Sequence, residues 1–309
     1  MIDILVAVYN GEKYLSEQLE SIINQSCTDW HMIICDDGSC DRSFEIIEEY
    51  SRRFPEKISV LRNAVPTKSA QANFMGMLSR TKAEYIMFSD QDDFWERDKI
   101  RLTLDKMREL EQNGKSNMPV LVHTELSVAD EGLNVTKESF TEFQGLNPKC
   151  DTLNRLLVQN NVTGCTVMIN APLANIARAA DPSQMLMHDW WLALTAAAFG
   201  KIGFVYKPTV KYRQHGDNQL GAVNNRSFSG IKHIIKEKSV TKERIDITYS
   251  QARNFLDTYG DILSEKSVEC LRRYIDIPNH GKAARINRLI RGGFLKQNFL
   301  AAAGQLVFC

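Results

Sequence analysis

Three apolar runs, each ending in polar residues of the kind that bind ligands, restrict this chain more than any other feature. Residues 2–8 are rich in strand formers and stop at Tyr9-Asn10-Gly11. Leu15, Leu19, Ile22 and Ile23 then recur at helical spacing, with Glu12, Glu17 and Glu20 mostly off that face. A second strand is expected at 30–35, ending in Asp36-Asp37-Gly38-Ser39. It is followed by a helix around Phe44, Ile47 and Tyr50, a strand at 58–61 that delivers Arg62 and Asn63, and a helix at 70–80. The third run, 83–88, leads into Ser89-Asp90-Gln91-Asp92-Asp93-Phe94-Trp95. Strand, helix and strand repeated in this way form βαβ units, which place their chemistry at the carboxyl edge of a parallel sheet.

Asp90, Asp92 and Asp93 lie within four residues at a strand end and repel one another unless a cation sits among them. Hard carboxylate oxygens suit Mg²⁺ or Mn²⁺ carrying phosphate oxygens better than zinc. A solvated acidic turn is the plain alternative for this segment taken alone. The balance of 38 basic and 38 acidic residues leaves no net charge, so no global field recruits nucleic acid or an anionic surface. With no G-x-G-x-x-G anywhere and one glycine after the first strand, neither a dinucleotide dehydrogenase nor a sugar-nucleotide pyrophosphorylase fits.

Val8-Tyr9-Asn10-Gly11, Asp36-Asp37-Gly38-Ser39 and Asp90-Gln91-Asp92-Asp93, in this order and at these spacings, resemble the nucleotide-sugar half of family 2 glycosyltransferases with the GT-A fold. Residues 160–165, His188-Asp189-Trp190-Trp191 and Tyr212-Arg213-Gln214-His215-Gly216 resemble the rhamnosyltransferase-like subgroup. The resemblance implies an α/β fold with a Rossmann-like sheet flanked by helices. It also implies an inverting, metal-dependent transfer of one sugar from a nucleotide-diphosphate donor, dTDP-rhamnose or a UDP-hexose, to a glycan acceptor. No Gln-x-x-Arg-Trp motif of processive synthases is present, which favours single addition; the acceptor implied is a lipid-linked precursor of a surface polysaccharide or a glycosylated protein. A non-catalytic scaffold subunit with the same fold is the rival reading.

On this resemblance the donor contacts fall to Val8, Tyr9, Asn10, Asp37, Asn63, Lys68, Asp90, Gln91 and Arg213. Asp37 and Asp90 are suited to accept hydrogen bonds from ribose hydroxyls or the base N–H. Asp92 is expected to ligate Mn²⁺ or Mg²⁺, with His215 as a further ligand or diphosphate contact; Asp93 equally suits a helix cap near Trp95. Asp189 is the expected catalytic base, because Trp190 and Trp191 beside it would desolvate its carboxyl, although its position also suits an N-cap. Many family 2 enzymes place an acidic pair here, and this sequence departs from it with His188 in the first place. Ala64 stands where the family often has a glycine after the asparagine.

Further strands are expected at 120–124, 165–170 and 210–213, after which strand signals nearly vanish. Residues 228–238, 241–259, 265–275 and 282–290 read as helices. The chain is therefore divided into a catalytic domain, 1–223, and a helical region, 224–309, joined near 224–227. Seven cysteines without a C-x-x-C read as reduced core thiols of a cytoplasmic protein. No secretory pattern opens the sequence, and the longest apolar stretch, 190–200, is far short of the ~20 residues of a spanning helix. Arg285, Arg288, Arg291 and Lys296 interleaved with Leu289, Ile290, Phe294 and Phe299 suggest a surface docking on the inner face of the plasma membrane, or packing on this chain or a second copy.

Overall fold

The computed structural model describes residues 1–216 and 238–308. β1 (Ile2–Val8) lies between β2 (Trp30–Asp36) and β4 (Tyr85–Ser89), with β3 (Ile58–Arg62) beyond β2, all parallel. Val8 pairs with Asp36 and Val6 with Ser89, so the polar ends of these strands meet at one edge. Alternation along β1 sends Ile4, Val6 and Val8 to one face and Leu5 to the other.

The rest of the sheet departs from the parallel pattern. β8 (Met168–Asn170) runs antiparallel to β4 and to β6 (Val120–Ala129), and β6 runs parallel to β9 (Lys201–Arg213). β5 (Phe94–Trp95) pairs antiparallel with β9, and β7 (Val135–Lys137) with β6. Among the described residues the order is β3-β2-β1-β4-β8-β6-β9-β5, a mixed sheet. The expected strand at 210–213 is the end of a 13-residue strand, and that at 165–170 is shortened by a 3₁₀ turn at Gly164–Thr166. β5 and β7 escape the sequence reading because two or three residues carry no periodicity.

One face of the sheet is covered by α1 (Leu15–Ile23), α2 (Ser43–Arg53) and α4 (Lys99–Gln112), through Leu19, Ile22, Ile47, Ile100 and Met107. The other carries α3 (Ala70–Leu78), α7 (Ala171–Ala177) and α8 (His188–Phe199), with the short helix α6 (Leu153–Leu156) nearby, whereas Phe140 of the short helix α5 (Phe140–Gln144) packs against the first core. The final helices, α9 (Lys238–Tyr259), α10 (Glu265–Ile275), α11 (Lys282–Gly292) and α12 (Phe299–Phe308), belong to this second core. Phe255, Tyr259, Leu271, Tyr274, Leu289 and Phe294 are buried with Trp191 and Leu192 of α8. Trp191 Nε1 donates to the Tyr259 hydroxyl (3.1 Å) across that junction. Burying side chains of this size stabilises by roughly 1.5–3 kcal/mol each, so α9–α12 are held to the sheet-bearing part by packing.

Leu289 and Phe294 therefore face inward, while Ile290 and Phe299 remain exposed. Arg288 pairs with Asp276, and Arg285 donates to the carbonyls of Pro278 and His280. The expected joint at 224–227 and all but the last residue of the helix expected at 228–238 lie outside the described residues. No helix among the described residues is long and apolar enough to cross a membrane. Cys35 and Cys165 are buried free thiols, whereas Cys40 is exposed, contrary to a uniform core placement.

Candidate active site

The first two strand ends build a rigid wall. Asp36 is fully buried, accepts from the backbone N–H groups of Gly38 and Ser39, and pairs with Arg62 at 3.2 Å. The Asp37 carboxylate accepts from Asn63 Nδ2 (2.7 Å), Thr67 N (2.8 Å), Thr67 Oγ1 (2.9 Å) and Lys68 N (2.9 Å). Asp37 thus fixes the loop after β3, in which Lys68 takes a left-handed φ of 55°. Asn73 Nδ2 donates to the Cys35 carbonyl (3.2 Å) and closes the same corner.

Gln91 joins the ends of β4 and β1. Its Oε1 accepts from Tyr9 N (2.7 Å) and its Nε2 donates to the Tyr9 carbonyl (2.9 Å), which holds the backbone of an otherwise exposed Tyr9. Asn10, at φ 49°, accepts from Cys40 N through its Oδ1 (2.8 Å). Val8, Tyr9, Asp37, Lys68, Asp90, Gln91, Asp92 and Asp189 all line one cavity of about 1160 Å³. The structure does not bring Asn10, Asn63 or Arg213 to that lining; the first two stand behind the wall as turn and loop anchors.

The two-residue strand β5 decides the geometry of the acid cluster. Phe94 pairs with Lys211 and Trp95 with Val210, so the end of β9 is laid against the residues that precede β5. His215 Nε2 then stands 2.9 Å from Asp92 Oδ2. Arg213, only 2% exposed, turns away from the cavity: its Nε donates to the Asp92 carbonyl (2.8 Å), another guanidinium N–H to the Glu131 carbonyl, and a third pairs with Glu17 at 2.6 Å. The expected diphosphate contact is corrected to a buried clamp on the acid turn, because strand alternation sends Arg213 inward.

Burial and the neighbouring Asp92 and Asp189 push the Asp90 carboxyl up to about 7. Asp93 is completely buried, accepts from Arg213 N, and is raised well above the ordinary carboxylate range by desolvation and by Asp92 and Asp90; its carboxyl, that of Asp90 and the Cys165 thiol lie within 4.8 Å of one another. Lys99, also buried, is pushed down to about 8 by desolvation and sits 4.7 Å over the Trp95 ring. Acids crowded at this density gain most from a bound cation.

Asp189 lies in the first turn of α8, and its Oδ1 accepts from Trp190 N (2.6 Å) and Asn160 Nδ2 (3.3 Å). The expected N-cap role is corrected, because α8 starts at His188 with Met187 as its N-cap and no side-chain cap; Asp189 is the second helical residue, one of its oxygens is held, and burial raises the carboxyl to about 7. Of the two tryptophans expected beside it, Trp190 lines the cavity and Trp191 belongs to the core.

The family model described as glycosyl transferase family 2 matches residues 3–116. The dTDP-rhamnosyl transferase RfbG of Shigella flexneri is 30% identical over 258 residues, covering 77% of this chain and 82% of that protein. The chain belongs to glycosyl transferase family 2. Its fold is GT-A: S. aureus TarS 1–349, solved in complex with UDP-GlcNAc, superposes with a TM-score of 0.60 at 15% identity, covering 94% of this chain and 80% of that one. GalNAc-T7, solved with UDP, GalNAc and Mn²⁺, gives 0.55 at 10% identity, covering 97% and 55%.

This family 2 enzyme also lines its cavity with residues that the sequence reading left unassigned. Asn160, Asn161 and His188 come from the segments quoted above, but no motif gave them a role. Thr248, Tyr274 and Gln305 come from the C-terminal helices, where helical spacing reads as ordinary core packing.

Proposed function

We propose that this glycosyltransferase adds a single sugar, with dTDP-rhamnose the first donor to test, to a glycan acceptor by one inverting displacement. The observation that carries the reading is the convergence of Asp90, Asp92 and Asp189 on one cavity with His215 paired to Asp92. RfbG, named a dTDP-rhamnosyl transferase, supports the choice of donor.

The residues present fit a divalent ion. A carboxylate, which is a hard donor, and an imidazole, which is a borderline one, stand 2.9 Å apart at Asp92 and His215, a spacing that suits ligands sharing one ion. Asp92 and His215 would hold Mn²⁺ or Mg²⁺. Bound there, the ion supplies positive charge to the departing diphosphate.

In the transfer, Asp189 takes the proton of the acceptor hydroxyl as that oxygen bonds to the sugar C1, and the C1–O bond to the diphosphate breaks. The bond electrons leave with the nucleoside diphosphate, so no covalent sugar intermediate is needed. A carboxyl near pH 7 is matched to this exchange. The wall at Val8, Tyr9, Asp37 and Lys68 receives the nucleotide, and the loop pinned by Asp37 keeps its shape before the donor arrives. A lipid-linked acceptor accords with the exposed Ile290, Phe299 and Val307, which would meet a cytoplasmic membrane face. Calorimetric titration with dTDP and UDP sugars in Mn²⁺, followed by turnover measured as release of the nucleoside diphosphate, tests the reading. Absence of both binding and release across the panel would overturn it.

A further inference from the structure

Two polar side chains on the cavity wall have no part in the donor chemistry. His188 is 3% exposed, and neither of its ring nitrogens has a hydrogen-bond partner among the described residues. Its ring lies against Phe74 and Phe88, with centroids 4.3 and 5.4 Å away, and burial pushes the imidazole down to about 3, so it is neutral at working pH. Asn161, 4% exposed, donates its amide N–H groups to the carbonyls of Asn147 (2.8 Å) and Cys150 (3.3 Å), and its Oδ1 has no partner. A buried polar atom left without a hydrogen bond costs about 1–3 kcal/mol, and native proteins retain one where a ligand or water completes it. Space is kept for the imidazole as well: a Cβ at Gly164 would lie 2.9 Å from His188 Nε2.

The position of these groups assigns them to one substrate. His188 directly precedes Asp189, and Asn161 directly follows Asn160, whose amide holds Asp189. Both are therefore tied to the residue that meets the acceptor hydroxyl. Around them the lining offers the half-buried Trp190, with amides such as Gln144 and Gln159. Aromatic faces and neutral donor-acceptor groups match the C–H faces and hydroxyls of a sugar. Asp189, ionised when it acts as the base on the same cavity, disfavours a carboxylate-bearing sugar by like-charge repulsion.

We propose that His188 and Asn161 bind hydroxyl groups of an uncharged acceptor sugar, so that the wall beside Asp189 is an acceptor subsite selective for neutral over acidic saccharides. The proposal rests on the cavity being the glycosyl-transfer site. Saturation-transfer NMR on the full chain, with Mn²⁺ and the nucleoside diphosphate that raises its melting temperature, would use octyl rhamnoside, octyl glucoside and octyl glucuronide as probes. At least one neutral glycoside is expected to bind at least tenfold more tightly than the glucuronide. His188→Phe should weaken that binding at least tenfold, with nucleotide affinity within twofold and no fall in melting temperature; His188→Gln should restore part of it. Equal binding of the glucuronide, no binding of any neutral glycoside, or unchanged binding by His188→Phe would overturn the proposal. Failure of the unmodified chain to bind any nucleotide would instead overturn the reading of the cavity itself.

Discussion

On the proposed mechanism Asp92 and Asp189 divide the chemistry between them, and substitution separates their roles. Asp92→Ala removes one of several mutually repelling acids, so its melting temperature should stay close to that of the parent while metal-dependent release of nucleoside diphosphate is abolished. Turnover that persists in Mn²⁺ would exclude Asp92 as a ligand. Asp189→Asn keeps the shape of the side chain but cannot take a proton, and transfer should fall by about a hundredfold or more with donor affinity within a few-fold. Because burial holds Asp189 up to about 7, transfer in the parent enzyme should rise with pH until that carboxyl is ionised, and a flat rate between pH 5.5 and 8 would contradict its role as base. At this scale the placement of strand-end residues was legible in part: Asp37, Asp90 and Asp92 line the cavity, whereas Asn10 and Asn63 anchor turns behind it. The sequence was misleading for Arg213, whose direction depends on strand register, and silent on Asn161, whose unmatched oxygen exists only once the fold has buried it.

Among the elements, the two-residue β5 has an influence out of proportion to its length. Its pairing with β9 brings His215 to Asp92, although the two lie 123 residues apart in sequence. Trp95 is 1% exposed and anchors this pairing. Trp95→Ala should destabilise the protein by about 3–5 kcal/mol and, in the fraction that stays folded, weaken Mn²⁺ binding measured by calorimetry. Unaltered metal affinity would mean that His215 is positioned by something else. The parallel strands β1 to β4 were readable because each joins an apolar run to a turn motif and a helix of clear period. The antiparallel half was harder, since β8 spans three residues and its place between β4 and β6 is set by packing rather than by local pattern.

The whole molecule stores electrostatic strain at its centre. Asp90 and Asp189 are both held up to about 7 by burial, so the folded chain keeps protons that an unfolded chain releases near the ordinary carboxylate value of about 4. The stability associated with those protons is complete below about pH 4 and is lost as pH rises through about 7. Metal-free protein should therefore melt lower at pH 8 than at pH 5, by on the order of 5 °C, and saturating Mn²⁺ at pH 8 should reverse the loss. A melting temperature that climbs over this interval without metal would show that the carboxyls are ionised throughout. The helical C-terminal region was legible as helices, but its membership of the core was not, because an amphipathic face does not state what it will cover. That membership also sets an order of events during synthesis. The wall proposed to face the nucleotide is encoded before residue 93, whereas the opposite wall waits for Tyr274 and Gln305. On the proposed reading a nascent chain can thus form the wall that faces the nucleotide before the wall opposite it, and becomes competent for transfer only after Gln305 has emerged.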